Sequence, residues 1–232
     1  MKRAAAAAHV LTRSRQDYVK ALFDMDDGGP VAVSALARHL ELSPPSVTNM
    51  LARLDQERLV TLHHRGAARL TPDGEREALR MVRRHRILEA FLVRVLGLDW
   101  SEVHEDAEVL EHHVSDRVIE AIDRLMDHPS EDPHGHPIPD RHGRMRRRAL
   151  APLSTLAEGG RGVVREIHDR DARRMQRWKK AGLVPGAPVR MLEVHEDGEV
   201  FELEVAGRRM VTGIATLEGV FIEVLTGGVR HE

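Results

Sequence analysis

Histidine and glutamate side chains recur at helical spacing between residues 84 and 113, and no other pattern constrains the chain as strongly. Six positions make up the pattern: His85, Glu89, His104, Glu108, Glu111 and His112. Because residues three or four apart lie on one face of an α-helix, these side chains are predicted to project to one side of two neighbouring helices. Imidazoles and carboxylates in that arrangement form a pocket for a divalent transition metal.

The alternative interpretation is an ordinary solvated helix face, on which the histidines have no ligand role. Such a face would also carry lysine, but lysine is absent between residues 81 and 178. The chain has no cysteine, which excludes disulfides, thiolate zinc sites and iron–sulfur clusters. Any bound metal must therefore have nitrogen and oxygen ligands.

The composition suits a globular protein, with 41% hydrophobic and 31% charged residues in a chain of 232. No apolar run approaches the roughly 20 residues that a membrane-spanning helix needs. The alanine run at residues 4–8 is followed by charges, which argues against a cleaved signal. We therefore expect a cytoplasmic protein without a membrane partner. With a net charge of −2, any surface that binds nucleic acid has to be local.

Hydrophobic periodicity divides the chain into three predicted domains. Residues 1–78 hold short helical patterns, and residues 79–150 hold a strongly helical stretch followed by a Pro- and His-rich linker. Residues 151–232 contain short Val-rich segments separated by Gly or Asp-Gly, which is typical of a small antiparallel β-barrel. The predicted fold is mainly α with this barrel at its end. The linker histidines, which could bind metal, are interpreted as solvated: His134, His136 and His142.

A helix-turn-helix is predicted within the first domain. A short helix over residues 33–40 is followed by SPPSVTNMLARLDQERLV, in which Ser43 suits the N-cap and Pro44 the first helical position. Small polar residues cover the outward face of this second helix, where Asn can read adenine and Arg can read guanine or phosphate. The candidate DNA contacts on this helix are Ser43, Pro45, Ser46, Thr48, Asn49 and Arg53.

The next segment, LVTLHHRGAARLTPDGE, predicts a strand, a turn at Arg65 and Gly66, a second strand and a helix that begins at Pro72. The hairpin would be the wing of a winged helix, with Arg65 and Arg69 near phosphate or the minor groove. An inert three-helix unit with a hairpin is the alternative. Its outward face would favour Glu and Lys rather than the small polar residues seen here.

Motifs of the common enzyme classes are missing from the sequence. It has no His-Glu-x-x-His, no P-loop, no strand-placed Gly-x-Gly-x-x-Gly and no evident nucleophile elbow. We therefore predict no enzymatic activity and no small organic substrate. Two alternatives stay open: a metal-dependent hydrolase with an accessory winged-helix module, which needs an open coordination position and a general base, and a metal-independent DNA-binding scaffold.

The chain resembles the diphtheria-toxin-repressor family of metal-activated transcription regulators over nearly its whole length. Four segments carry the resemblance: SPPSVTNMLARLDQERLV, HRGAARLTPDGE, RRHRILEAFLVRVLGLDWSEVHEDAEVLEHHVSD and GHPIPD. It implies an N-terminal winged helix, a helical dimerisation domain that holds the metals, and a C-terminal SH3-like domain. It also implies a homodimer that binds palindromic double-stranded operator DNA and represses metal-homeostasis genes.

By position, the resemblance implies two metal sites. The ancillary site would use His85, Glu89 and His104. The other site would use Asp17, from the N-terminal helix, with Glu108, Glu111 and His112. In relatives the SH3-like domain also lends ligands to the ancillary site; of the two matching positions, Asp171 can serve and Arg174 cannot.

Two departures from the iron-responsive members bear on the metal. Those members carry Cys where this chain has Glu108 and Met where it has Asp17, so both positions are carboxylates, as in the manganese-responsive branch. Oxygen donors favour Mn²⁺, with Fe²⁺ as the second candidate and other divalent transition metals expected to bind in vitro. Lys20 stands where the manganese branch has Glu, so we expect two separate sites rather than a tightly coupled dinuclear centre.

Overall fold

The computed structural model describes residues 12–64, 66–146, 148–168, 171–195 and 198–229. The alanine run near the start of the chain lies outside these ranges. The chain divides into two compact units, Met1–Arg83 with Arg141–Gly143, and Arg84–Asp140 with Arg144–Glu232. None of the helices in the described ranges combines the length and the apolar character that crossing a membrane requires.

In its described residues, the first unit contains three complete helices and a small antiparallel sheet. The helices are α1 (Arg13–Asp24), α2 (Val33–His39) and α3 (Pro44–Gln56). The strands, in the sheet order β1-β3-β2, are β1 (Val31–Ala32), β2 (Val60–His63) and β3 (Ala67–Leu70). Ser43 caps α3, because its hydroxyl accepts a hydrogen bond from the Ser46 amide at 3.4 Å while Pro44 occupies the first turn.

Apolar side chains from all three helices and the sheet form the core of this unit. Its members include Val19, Leu22, Leu36, Val47, Leu51, Leu54 and Ala68. β2 and β3 form the predicted hairpin, in a register that pairs Val60 with Leu70 and His63 with Ala67. β1 adds a third strand that the sequence did not predict, because two residues are too few to show an alternating pattern.

A long helix, α4 (Pro72–Arg94), begins at the predicted Pro72, and the division between the two units falls within it. The hydroxyl of Thr71 accepts a hydrogen bond from the Gly74 amide at 3.1 Å and so caps the helix. Gly74 cannot carry a side chain in this position, because a Cβ would lie 1.9 Å from the Leu59 carbonyl oxygen. The predicted domain boundary at residue 78 therefore lies inside a helix.

In the second unit, the later turns of α4 pack against α5 (Val103–Leu110) and α6 (Asp116–Leu125). The core between them consists of Ile87, Leu88, Leu92, Val103, Ala107 and Ile119. The turn from α5 to α6 is held by Arg84, whose guanidinium donates to the Glu111 carbonyl at 2.9 and 2.8 Å and also to the Val114 carbonyl. The main chain of this turn, residues 111–114, is therefore held in a fixed position against α4; it is called here the corner.

The first part of the Pro- and His-rich linker is folded rather than solvated. Asp132 and His134 are buried, contrary to the interpretation from composition, and His136 is half-buried, whereas His142 is exposed as expected. The Asp132 carboxylate accepts hydrogen bonds from the amides of His134, at 2.8 Å, and His136, at 3.0 Å. Composition predicts the irregular backbone but not its burial, which is possible because these polar groups are paired within the loop itself.

The C-terminal part of the second unit is built on one six-stranded antiparallel sheet with the order β4-β9-β5-β6-β7-β8. The strands are β4 (Ala151–Pro152), β5 (Arg161–Ile167), β6 (Pro188–His195), β7 (Val200–Val205), β8 (Arg208–Gly213) and β9 (Val220–Thr226). A 3-10 turn covers Leu153–Thr155, and two helices lie between strands: α7 (Ala172–Ala181) and α8 (Ile214–Leu217).

The sheet is open, whereas the sequence predicted a closed barrel. Its outer strands, β4 and β8, do not pair with each other in the described part of the chain. α7 caps the core, since Met175 and Trp178 are buried in the same apolar cluster as Phe201. The Trp178 indole donates to the Thr216 carbonyl at 2.6 Å. The error in the prediction is therefore confined to the closure of the strands.

Replacing Gly135 by Ala is expected to destabilise the second unit, because the linker lies very close to β5 at this residue. A Cβ at Gly135 would lie 1.7 Å from the Arg165 carbonyl oxygen, and its φ of +88° disfavours any side chain. We expect a loss of about 1–2 kcal/mol from the backbone conformation and about 1–3 kcal/mol more from the displaced contact, measured by urea denaturation.

Gly186→Ala is the matched control, because Gly186 has a φ of +90° but no atom within 4 Å of the added Cβ. Its free energy of unfolding should fall only by the part that comes from the backbone conformation. Equal losses in the two variants would show that the linker is not held closely against β5.

Candidate metal centre and nucleic-acid interface

The predicted ligands of the second unit lie on α4, on α5 and at the end of α5. His85 and Glu89 are one turn apart on α4, and His104 and Glu108 are one turn apart on α5. Glu111 directly follows the last residue of α5. His85, Glu89 and Glu111 are buried, although ionisable groups rarely are unless they are paired.

Three of these side chains form a compact triad: His85, Glu89 and His104. The His85 Nε2 atom lies 3.0 Å from Glu89 Oε1 and 3.1 Å from His104 Nδ1. The His104 Nδ1 atom also lies 3.1 Å from Glu89 Oε1. The set that the resemblance assigns to the ancillary site is therefore brought together in space.

The second predicted set is connected to the first through His85. The His85 Nδ1 atom lies 2.6 Å from Glu111 Oε2, and Glu111 Oε1 lies 3.6 Å from His112 Nε2. Glu108 lies nearer to the triad than expected, with its Oε1 atom 3.5 Å from His104 Nε2. His85 connects the two sets, because it presents one ring nitrogen to Glu89 and the other to Glu111. The expectation of two separate metal sites stays a prediction.

The linker adds His134, which the sequence analysis interpreted as solvated. His134 Nδ1 lies 3.7 Å from Glu89 Oε2, and its Nε2 donates to the Trp100 carbonyl at 2.8 Å. The available signal was the concentration of Asp132, His134 and His136 within five residues. Its Pro and Gly content favoured the solvated interpretation instead.

The electrostatics of the network favour an ionised Glu89. Burial alone would raise the pKa of this carboxyl, but the charge on His85 and the hydrogen bonds from His104, His134 and His85 outweigh it and hold the pKa well below its usual range. Metals bind carboxylates in their ionised form and imidazoles in their neutral form. The described donors are nitrogen and oxygen atoms only, so this network fits a divalent transition metal of the Mn²⁺, Fe²⁺ or Zn²⁺ type.

The predicted contribution of Asp171 has no support from its position. Asp171 is the N-cap of α7, and its Oδ1 atom accepts from the amides of Arg173, at 2.8 Å, and Arg174, at 3.3 Å. It is absent from the groups of three or more potential ligands within 4.8 Å in the described ranges. The Arg174 guanidinium lies 4.8 Å from the Trp178 ring and donates to the Ala215 carbonyl at 2.8 Å.

Asp17 belongs to the first unit, where it lies half-buried on α1 beside the buried Tyr18. Lys20 is also buried, one turn further along this helix. The assignment of Asp17 as a ligand stays a prediction from the resemblance.

The candidate DNA contacts of the first unit share an exposed face. Five of them are exposed on α3: Pro45, Ser46, Thr48, Asn49 and Arg53. Ser43 is exposed at its N-cap, and the Thr48 hydroxyl donates to the Pro44 carbonyl at 2.9 Å. Arg69 is exposed on β3 of the hairpin, while Arg65 lies outside the described residues. An exposed polar helix beside a hairpin has the form of a winged-helix reading head.

Family models match three consecutive stretches of the chain. Residues 10–68 match "Iron dependent repressor, N-terminal DNA binding domain", residues 71–140 match "Iron dependent repressor, metal binding and dimerisation domain", and residues 151–224 match "FeoA domain". The iron-dependent repressor IdeR of Mycobacterium leprae is 30% identical over 215 residues, which cover 87% of this chain and 93% of the relative.

Solved structures agree with these matches. A manganese-dependent transcriptional repressor in complex with manganese shares 33% identity at a TM-score of 0.85, covering 91% of this chain and all of that one. ScaR with bound Cd²⁺ shares 29% identity at a TM-score of 0.78, covering 91% of this chain and 99% of that one. The chain belongs to the iron-dependent repressor family, which includes the diphtheria toxin repressor.

Replacing Glu89 by Gln is expected to weaken Mn²⁺ binding at least about tenfold, because it removes a buried anionic donor while keeping the side-chain shape. Isothermal titration of chelator-stripped protein measures this. Glu105→Gln is the matched control, since Glu105 is exposed on α5. Wild-type affinity in the Glu89 variant would contradict the assignment.

Proposed function

We propose that the protein is a metal-dependent transcriptional repressor that binds double-stranded operator DNA and has no enzymatic activity. The observation that carries the proposal is the network of the buried His85, Glu89 and Glu111 with the half-buried His104, called here the buried network. It occurs in the same chain as an exposed polar helix α3. A buried set of carboxylates and imidazoles is costly unless the charges are paired or bind a metal. The winged helix supplies the DNA-binding activity that the bound metal would control.

The proposed ligands are those that the resemblance identified. Mn²⁺ is the favoured metal and Fe²⁺ the second, because carboxylates at positions 17 and 108 are harder donors than sulfur. When bound, the cation would supply the positive charge that these acidic ligands lack. The proposed set, including those whose role rests on the resemblance alone, is His85, Glu89, His104, Glu108, Glu111, His112, Asp17 and Asp171.

Asp17 is the proposed link between metal sensing and DNA reading. The resemblance assigns this residue of the DNA-binding region to the ligand set of Glu108, Glu111 and His112. Ligands shared in this way favour one conformation of the protein, and the metal raises DNA affinity to the extent that it binds that conformation more tightly. Coupling of this kind is reciprocal, so operator DNA should tighten metal binding.

We propose a homodimer that reads a palindromic operator. Several apolar side chains of the helical region are exposed, among them Leu96 at 55%, Val118 at 43% and Leu125 at 67%, which is unfavourable in a lone chain. The proposed dimer surface uses apolar positions of residues 87–96 and 114–125, except that Ile87 is fully buried and belongs to the core. A twofold dimer presents two α3 helices, and these fit successive major grooves about 34–36 Å apart.

We propose three functional domains along the chain. Residues 1–78 form the winged-helix DNA-binding domain, residues 79–150 the metal-binding and dimerisation domain with its linker, and residues 151–232 an SH3-like domain of the FeoA type. The family matches at 10–68, 71–140 and 151–224 support this division.

The function is tested by selecting DNA from a pool of random duplexes with the full chain, in the presence of either Mn²⁺ or a chelator. With Mn²⁺ we expect enrichment of a palindrome whose half-sites lie ~10 base pairs apart, since each half-site faces one α3 helix. With chelator we expect no enrichment. The same motif recovered equally under both conditions would contradict metal dependence and favour the metal-independent scaffold.

Asp17→Asn and Glu111→Gln are each expected to abolish the increase in DNA affinity that Mn²⁺ causes. Each change removes one anionic ligand and preserves the side-chain shape. Gel-shift titration of the selected DNA with and without Mn²⁺ measures the increase, and Glu105→Gln again serves as control. A wild-type response in both variants would rule out the proposed link.

Arg53→Ala is expected to weaken DNA binding about fivefold to 150-fold, which corresponds to the roughly 1–3 kcal/mol of one good base contact. Mn²⁺ affinity should stay unchanged, because Arg53 is exposed on α3 and lies outside the proposed ligand set. Arg208→Ala is the matched control, since Arg208 is exposed on β8. If the two variants bound the selected DNA equally well, α3 would not be the reading helix.

A further inference from the structure

A second cluster of potential ligands lies where the linker meets β5, and it is called here the linker site: His136, Glu166 and His168. Each of the three offers one ligand atom, and these atoms lie within 4.8 Å of one another. The His168 Nε2 atom is 3.0 Å from Glu166 Oε2, and the rings of His136 and His168 meet edge to face at 4.7 Å. None of these three residues belongs to the ligand set of the proposed function.

Two neighbours orient the histidines of the linker site. The buried Asp132 carboxylate accepts a hydrogen bond from His136 Nδ1 at 3.0 Å. This bond places the proton of the neutral ring on Nδ1, so Nε2 is the nitrogen that can bind a metal. Carboxylates orient histidine ligands of metals in this way. The His168 ring lies 4.5 Å from the ring of Phe221, which restricts its rotation. Asp132 itself is occupied by two backbone amides and lies 3.8 Å from Arg86 Nε, so it acts as a support rather than a ligand.

The two segments that supply the linker site are held together by their main chains. The Ile167 amide donates to the His134 carbonyl at 3.0 Å. Gly135 brings the linker so close to Arg165 that no other residue fits without displacement. The linker ligand and the two ligands of β5 and its end are therefore preorganised before any ion arrives.

The surroundings of Glu166 favour its ionised form. Burial would raise the pKa of Glu166, but the hydrogen bond from His168 and the neighbouring positive charges, including that of Arg86, outweigh it and lower the pKa below its usual range. The carboxylate is thus available in its ionised form. Access from solvent is open, because the His168 side chain is 48% exposed.

We propose that the linker site binds a divalent transition cation of the zinc type through His136, Glu166 and His168. Two imidazoles and one carboxylate are a common zinc set that leaves a fourth position for water. Ligand atoms in such a tetrahedral site are about 3.3 Å apart at bond lengths of about 2.0–2.1 Å, close to the 3.0 Å between His168 and Glu166. The bound cation would join the linker to β5, a role separate from the proposed control of DNA binding.

Zinc titration calorimetry of the chelator-stripped full chain tests the proposal. His168→Asn and, separately, Glu166→Gln should each lose one zinc equivalent or bind it at least about tenfold more weakly. His195→Ala is the matched control, because His195 lies beside Glu193 and Glu202 in another His/Glu cluster of the same sheet. It should keep the wild-type stoichiometry. Unchanged zinc binding in both linker-site variants overturns the proposal.

The buried network also binds divalent cations under the proposed function, so the same titrations are repeated in a Glu89→Gln background. There the linker-site equivalent should remain and should disappear when His168→Asn is added. If the Glu89 change alone removed all zinc binding, the linker site would be refuted while the proposed function stood.

Hydrogen exchange at the Ile167 amide tests whether zinc joins the linker to β5, which the binding stoichiometry does not show. Because this amide donates to the linker carbonyl of His134, zinc should slow its exchange in the wild type and in His195→Ala but not in His168→Asn. Equal slowing in all three proteins would mean that zinc acts elsewhere and would overturn the proposal.

Discussion

His85 lies between two buried carboxylates, and the arrangement of the helical region depends on this contact. Its Nδ1 atom is 2.6 Å from Glu111 and its Nε2 atom is 3.0 Å from Glu89. Buried carboxylates are unfavourable unless a positive charge accompanies them. An imidazole that carries both protons supplies that charge, but it has to release a proton to bind a metal. Under the proposed function, protons and divalent cations would therefore compete for this position, and the two glutamates would favour either positive charge.

The parts that the sequence predicted well depend on local periodicity. Spacings of three and four brought His85, Glu89 and His104 onto facing helices, because α-helical geometry alone determines which side chains share a face. The Ser43 cap and Pro44 likewise marked the start of α3, since their effects act on the first turn only. Membership of the iron-dependent repressor family, first a resemblance, is shown by the relatives and the family models.

What the sequence did not predict depends on contacts between distant segments. The burial of Asp132 and His134 requires β5, which lies about 30 residues further along the chain. The open sheet has a similar cause, because alternation within each strand does not reveal whether the outer strands, β4 and β8, pair with each other. Glu108 approaches His104 although position in the family assigned it to the other set. The side-chain rotamer of Glu108, rather than its position in the sequence, decides which of the two ligand sets it approaches.

Arg84 has a consequence for how this centre can change. Its guanidinium holds the carbonyl groups of Glu111 and Val114, so the main chain of the corner is fixed by a residue that is not itself a ligand. Exchange of a proposed ligand, such as a thiolate for the carboxylate at position 108, would leave that anchor intact. Under the proposed function, ion preference would therefore be separable from the folding of this turn.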